Sequence, residues 1–144
     1  MFGRWSRGTI IAVYVAGLLH TAVYFGFDAN GEEWVIDLAP DDKSGKGIRW
    51  RTMKQFARGS DELHLVNYPG AYEPEVIFWR AVGKLGQHNY NLWESNCQQF
   101  TRWCATNEWI SDQLEQAKPV VTYLTGAIIA TALVHLFKPA RRTA

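Results

Sequence analysis

The chain has 144 residues, of which 47% are hydrophobic and 14% aromatic, a length and composition that suit one folded domain with a substantial core. This composition excludes an intrinsically disordered chain. Because 15 basic residues are balanced by 14 acidic ones, the net charge gives no support to a nucleic-acid partner.

An uncharged run at residues 8–27, GTIIAVYVAGLLHTAVYFGF, is long enough to cross a bilayer as a helix. Preceded by Arg4 and Arg7, it also has the basic start of a signal peptide, although no small-residue cleavage site follows. Its Val, Ile, Tyr and Thr content favours strands, and Gly17 divides it in two. A third strand-like run, EEWVIDLA, follows the turn signal Asn30-Gly31. We therefore predict three strands joined by tight turns, with the membrane helix and the signal peptide as alternatives.

A short strand and a helix are predicted next. The stretch ELHLVNY has strand character, and EPEVIFWRAVGKLG carries Pro74 where a proline suits a first helical turn. Apolar side chains recur along this second stretch at approximately helical spacing. They predict a helix whose apolar face consists of Val76, Trp79, Val82 and Leu85.

A second helix is predicted to begin at the capping residues Ser95 and Asn96 and to continue to Asn107. It places Cys97 in the first turn, where the helix dipole and free N–H groups favour a thiolate. The alternative for Cys97 is a small buried hydrophobe. The spacing predicts one face made of Cys97, Phe100, Thr101 and Cys104, with Gln98, Gln99 and Arg102 on the other side.

The two cysteines are predicted to be free thiols. Seven residues along one helix separate Cys97 and Cys104 by about 10 Å, which is too far for a disulfide. Their spacing is not that of a zinc site, so we predict no metal and no cofactor. Free thiols suit a reducing compartment. Cys104, deeper in the helix, is interpreted as a buried core residue.

Three segments taken together, HTAVYFG, VIDLAP and NCQQF, resemble motifs of the lecithin:retinol acyltransferase-like family, and most closely its small HRAS-like suppressor phospholipase/acyltransferases. The similarity extends from residue 8 to about residue 117. It implies an α+β fold, a circularly permuted papain-like domain with an antiparallel sheet packed on helices and the nucleophile at a helix N-terminus. It also implies a domain over residues 1–117, followed by a hydrophobic segment at 118–144.

The resemblance assigns roles to single residues. His20 matches the general base and Cys97 the nucleophile, while Asp37 stands where the family has a second histidine. A carboxylate at that place suits the third member of a triad, although a turn residue is the alternative. Asn96 and Tyr24 are expected beside the substrate or the oxyanion. The implied activity is a thiol-dependent phospholipase A or phospholipid acyltransferase, with a thioester intermediate and a glycerophospholipid substrate.

A second set of relatives leaves another function open. The H-box/NC proteins of some picornaviruses share the histidine and the Asn-Cys dipeptide. Resemblance to them implies a catalytically inactive, membrane-tethered module that binds host or cellular proteins. A cysteine sulfur close to the His20 ring would favour the enzyme over this module.

Two further segments point to a membrane. Residues 119–137 carry no formal charge and span about 28 Å as a helix, so we predict a C-terminal anchor, with a helix packed on the domain as the alternative. The domain is expected to face the cytosol, although the basic residues after the run favour the opposite orientation. In KSGKGIRWRTMK, the alternatives are a solvated loop and a contact with lipid headgroups made by Lys46, Arg49, Trp50 and Arg51.

Overall fold

Three N-terminal strands form the centre of a five-stranded antiparallel sheet. The computed structural model describes residues 3–39, 47–87, 91 and 95–116. Strands β1 (Ile10–Val15), β2 (Leu18–Phe27) and β3 (Glu33–Asp37) pair in succession. The prediction of three strands is confirmed, and the interpretation of residues 8–27 as a membrane helix is wrong.

Both turns of this meander have a local cause. Between β1 and β2, Ala16 and Gly17 both have positive φ angles, 51° and 79°, as a two-residue hairpin turn of the primed type requires. Between β2 and β3, the Asp28 carboxylate accepts hydrogen bonds from the backbone N–H groups of Asn30 and Glu32. A side chain that hydrogen-bonds the backbone of its own turn favours that turn over an extended chain.

Two more strands complete the sheet in the order β4-β3-β2-β1-β5. The stretch ELHLVNY contains a strand as predicted, although only two residues of it pair. The basic stretch interpreted as a loop is partly a strand, because its second half pairs with β3. The remaining elements are β4 (Arg49–Thr52), α1 (Met53–Ala57), β5 (His64–Leu65), α2 (Pro74–Gly83) and α3 (Cys97–Thr106).

Helices cover both faces of the sheet, which makes the domain α+β. Helix α1 packs on one face and buries Phe56 among apolar side chains from β1, β2 and β3. Helices α2 and α3 pack on the other face, where Phe78 and Phe100 join a separate core cluster with Val23 and Ile36. Alternate residues of β2 and β3 point to opposite faces, so each strand contributes to both clusters.

The predicted face of α2 is right for Val82 and Leu85, which are partly buried against the core, and wrong for Val76 and Trp79. Its buried residues are Ile77, Phe78 and Ala81, whereas Val76 and Trp79 are 46% and 57% exposed. The helix has two apolar stripes, and periodicity alone does not say which of them meets the sheet. Packing against the sheet selects the stripe that contains Ile77 and Phe78.

Helix α3 begins and ends as predicted. Asn96 caps its N-terminus in a reciprocal pair of hydrogen bonds with Gln99, and Asn107 ends it with a φ angle of 70°. The predicted face from Cys97 to Cys104 is buried. Gln98 and Gln99, expected on the other side, are buried as well. Gln99 is held by the cap, and Gln98 Oε1 accepts a hydrogen bond from Ser111 Oγ at 2.7 Å.

The chain divides into two units, Met1–Ser111 and Asp112–Ala144. The predicted anchor at residues 119–137 lies outside the described residues, as does Lys46. Within the part of the chain that the structure describes, no helix has the length and hydrophobicity needed to cross a bilayer.

Candidate active site

His20 and Asp37 meet on the face of the sheet that α1 covers. In the β2–β3 register Ala22 pairs with Asp37, which places His20, two residues earlier on the same face, beside the carboxylate. His20 Nε2 lies 2.9 Å from Asp37 Oδ2. Asp37 is fully buried and is the last residue of β3, so it lies in a strand and not in a turn, which was its alternative.

Cys97 approaches the same histidine from α3. Its thiol is hydrogen-bonded to the His20 side chain, and Sγ lies 3.8 Å from the Leu19 carbonyl oxygen. Because Nε2 of the ring faces Asp37, Nδ1 is the nitrogen left for the thiol. The structure therefore brings together all three residues, Cys97, His20 and Asp37, that the resemblance singled out.

The electrostatics of this cluster favour a thiolate beside an imidazolium. Burial alone lowers the pKa of His20, but its hydrogen bonds to Asp37 and Cys97 outweigh burial and raise that pKa from 6.5 to about 9. Burial alone raises the pKa of Cys97, but His20 and then Thr21 bring that pKa below its usual value of 9.0. Each shift favours the charged form of its group.

Arg51 is the functional candidate whose position differs most from expectation. Both alternatives for it, a solvated loop and a contact with lipid headgroups, expose its side chain, yet it is only 6% exposed and its Nε donates to Asp37 Oδ1 at 2.7 Å. The reason is the β3–β4 pairing, which turns Arg51 toward the buried face of the sheet and Trp50, 38% exposed, toward the other. Strand alternation in RWRT would have indicated this, had the stretch been interpreted as a strand.

The two residues expected near the oxyanion have other contacts. The Tyr24 hydroxyl donates to Glu33 Oε1 at 2.7 Å and accepts from the Arg4 backbone N–H. Burial first, and the bond to Glu33 second, raise the pKa of Tyr24 to about 12. The Asn96 side chain accepts from the Gln99 N–H as the cap of α3. These contacts are structural, and a role for Tyr24 or Asn96 beside a substrate stays a prediction.

Neighbouring side chains hold the cluster in place, and sequence reasoning missed them. The ring of Phe56 on α1 packs 5.1 Å from the His20 ring, centroid to centroid. On the opposite face, Thr21 Oγ1 and Thr101 Oγ1 are 2.9 Å apart, which ties β2 to the helix that carries Cys97. Phe56 gave no sequence signal, whereas Thr101 had been placed on the same helix face as Cys97.

Cys104 contrasts with Cys97. It is fully buried in the core, and burial raises the pKa of its thiol well above the usual value. Both cysteines are free, as predicted. Among the described residues, no group of three or more His, Cys, Asp and Glu side chains is arranged to bind a metal ion.

Comparison with known proteins gives two matches. The family model described as Lecithin retinol acyltransferase matches residues 4–110, a range that contains His20, Asp37, Arg51 and Cys97. The human protein called Phospholipase A and acyltransferase 1 is 28% identical over 157 aligned residues. That alignment covers 97% of this chain and 90% of the human protein, so the similarity extends well beyond the candidate site.

Proposed function

The chain belongs to the lecithin retinol acyltransferase family, and we propose that it is a phospholipase A and phospholipid acyltransferase that works through a thioester on Cys97. The name of the human relative supports this substrate class and both activities. The observation that carries the proposal is the His20 ring, hydrogen-bonded to the Asp37 carboxylate and to the thiol of Cys97.

The proposed reaction has two halves. His20 takes the proton of Cys97, and the thiolate attacks the carbonyl carbon of a glycerophospholipid ester. The tetrahedral intermediate collapses by breaking the carbon–oxygen bond, and His20 returns its proton to the lysophospholipid oxygen that leaves. In the second half, water or another acceptor gives a proton to His20 and attacks the thioester, which releases the acyl group and regenerates the thiolate.

The start of α3 offers a place for the oxyanion. The first N–H groups of a helix have no partner within the helix and point along its positive end. Cys97 is the first residue of α3, so a carbonyl oxygen attacked by its sulfur lies near these donors. Asn96 positions this end through its capping bonds with Gln99, which supports a role for Asn96 in orienting the site.

The order of the site residues supports a finer description of the fold. The histidine lies on a strand that precedes the cysteine helix in the chain, and the sheet is antiparallel. We propose that the domain is a circularly permuted papain-like fold, in which the strand that carries the base comes before the helix that carries the nucleophile.

A phospholipid substrate implies contact with a bilayer, and we propose that the protein is membrane-associated. Trp50 lies partly exposed on β4 beside Arg49, and indole and guanidinium groups both suit the headgroup region. The predicted C-terminal anchor at residues 119–137 would add a second attachment and leave the domain in the cytosol.

The test uses the full chain in mixed micelles of detergent and phosphatidylcholine. Mass spectrometry of the peptide that contains Cys97 is expected to show an acyl group that hydroxylamine removes. Cys97→Ala should abolish the adduct and the release of lysophospholipid. The matched variant Cys104→Ala, which changes the other buried thiol, should retain both.

The opposite results would reject the proposal. An acyl adduct that persists in Cys97→Ala would place the nucleophile elsewhere. Wild-type protein that binds the micelles but forms neither adduct nor lysophospholipid would favour the non-catalytic membrane-tethered module.

A further inference from the structure

We propose that Arg51 is a positioning residue of this site: its guanidinium holds one oxygen of the Asp37 carboxylate so that the other oxygen is presented to His20. The inference rests on the function proposed above and extends the catalytic group by one residue. Arg51 donates a hydrogen bond to Asp37, and we assign its effect on the site to this contact.

The contacts divide the carboxylate between two partners. Arg51 Nε bonds Oδ1 at 2.7 Å, and His20 Nε2 bonds Oδ2 at 2.9 Å. Asp37 is fully buried, and the side chains of Arg51 and His20 are only 7% and 10% exposed. With one oxygen fixed by Arg51, rotation of the carboxyl group would break a buried charge-assisted hydrogen bond. The histidine ring is thereby oriented with Nδ1 toward the thiol.

The proposed reaction explains why His20 alone is not a sufficient partner for Asp37. An isolated carboxylate is very costly to bury unless a positive charge and hydrogen bonds accompany it. The imidazolium supplies that charge only for part of the cycle, because it gives its proton to the leaving lysophospholipid. Arg51 then still keeps a positive charge in contact with Asp37. A guanidinium stays protonated throughout, so it keeps a positive charge in contact with the buried carboxylate while the histidine charge comes and goes.

Charged and titratable groups reach the cluster of His20, Asp37 and Cys97 from several elements. His20 faces Cys97 from α3 and Asp37 from β3, and Arg51 from β4 contacts the other side of Asp37. Helix α1 contributes Phe56 to the cluster, and its charged residue, Lys54, is exposed. On the same face of β2 and β3, Tyr24 and Glu33 bond each other, and Arg49 lies opposite Asp37 in the β3–β4 register.

Alkylation of Cys97 tests the inference without any phospholipid. The full chain with Cys104→Ala is treated with iodoacetamide from pH 4 to pH 9, and the modified Cys97 peptide is quantified. Arg51→Met should move the acidic limb of the rate profile up by about one pH unit, because the carboxylate is no longer held in place and stabilises the imidazolium beside Cys97 less well. Arg51→Lys, which keeps the charge, should restore most of the shift. Lys54→Met, which removes an exposed charge nearby, should leave the limb in place.

A double-variant cycle separates positioning from packing. If Arg51 acts through Asp37, Cys97 in the double variant Asp37→Asn with Arg51→Met should be alkylated no more slowly than in Asp37→Asn alone, because the carboxylate through which Arg51 acts is already lost. If each substitution lowered the alkylation rate only by disturbing the packing around it, the two reductions would instead multiply in the double variant. The double variant also leaves no unpaired buried charge, so it and Arg51→Lys decide the question if Arg51→Met does not fold.

Three results would overturn the inference. The first is an acidic limb of the Cys97 alkylation profile that does not shift in folded Arg51→Met. The second is an acidic limb in Arg51→Lys that lies as high as the limb in Asp37→Asn. The third is a double variant in which the two single reductions in alkylation rate multiply. Failure of the proposed function is a separate outcome. It would appear as the absence of an acyl adduct in wild-type protein, whatever the alkylation profile.

Discussion

The reactivity of Cys97 at acidic pH is the most direct measure of the proposed ion pair. The perturbation is a drop from pH 9 to pH 6, applied to wild-type protein and to His20→Asn. A thiol with the usual pKa of 9.0 is half ionised at pH 9 and about one part in a thousand ionised at pH 6. Its alkylation rate should therefore fall by about 500-fold over this range.

Cys97 is expected to behave differently because its pKa lies below 9.0. His20, with a pKa of about 9, is about half protonated at pH 9 and almost fully protonated at pH 6, so its charge stabilises the thiolate increasingly as the pH falls. We expect the wild-type rate to fall by much less than about 500-fold, because a lowered pKa leaves more of the thiol ionised at pH 6. In His20→Asn, burial of the thiol is no longer opposed by the imidazolium, and the fall should be several hundredfold.

The assay is pulsed alkylation with iodoacetamide, followed by mass spectrometry of the two cysteine peptides. Comparing the ratio of rates at two pH values within one protein cancels the limited access to Cys97, which is 8% exposed. Cys104 is an internal control and should stay unmodified in folded protein, because it is fully buried and its pKa is raised. A wild-type fall near 500-fold, or equal ratios in wild type and His20→Asn, would refute the ion pair.

Two other substitutions test the site and the fold. Asp37→Asn should lower the pKa of His20 by about one unit or more, as NMR titration of the ring would show, and reduce phospholipid turnover by about 100-fold; an unchanged titration would remove Asp37 from the triad. Gly8→Ala should destabilise the domain by about 3 kcal/mol in urea unfolding, since φ is +92° and a new Cβ would overlap the Pro74 carbonyl. Gly31→Ala, at a φ of +80° but in open space, should cost only about 1 kcal/mol, and equal losses would contradict the close-contact argument.

Local sequence signals account for the elements that were predicted correctly. Strand-forming residues and the turn at Gly17 predicted the paired strands β1 and β2, because those signals act between neighbours in the chain. The bounds of α3 followed from Asn96 and Asn107, since a helix cap needs only a few adjacent residues. Family resemblance, which depends on the order and spacing of motifs, then indicated which histidine and cysteine to pair.

The errors share one physical cause, which is packing between distant segments. Helix α2 carries two apolar stripes, and only the sheet beneath it determines that Ile77 and Phe78 are buried while Trp79 is exposed. Arg51 has the sequence features of a solvated basic residue, and only pairing of β4 with β3 places it against Asp37. Such outcomes depend on surfaces that form only when the chain is folded.

The sequence by itself determined the three N-terminal strands, their turns, the caps of α3 and the identity of the candidate nucleophile and base, because each follows from nearby residues or from motif order. The tertiary structure alone decided that Asp37 is buried, that it bonds His20 and Arg51 at once, and that Cys97 reaches the same ring. A buried charge is tolerated only where its partners converge, and here they come from two strands besides its own. That convergence is a property of the folded sheet and not of any one segment.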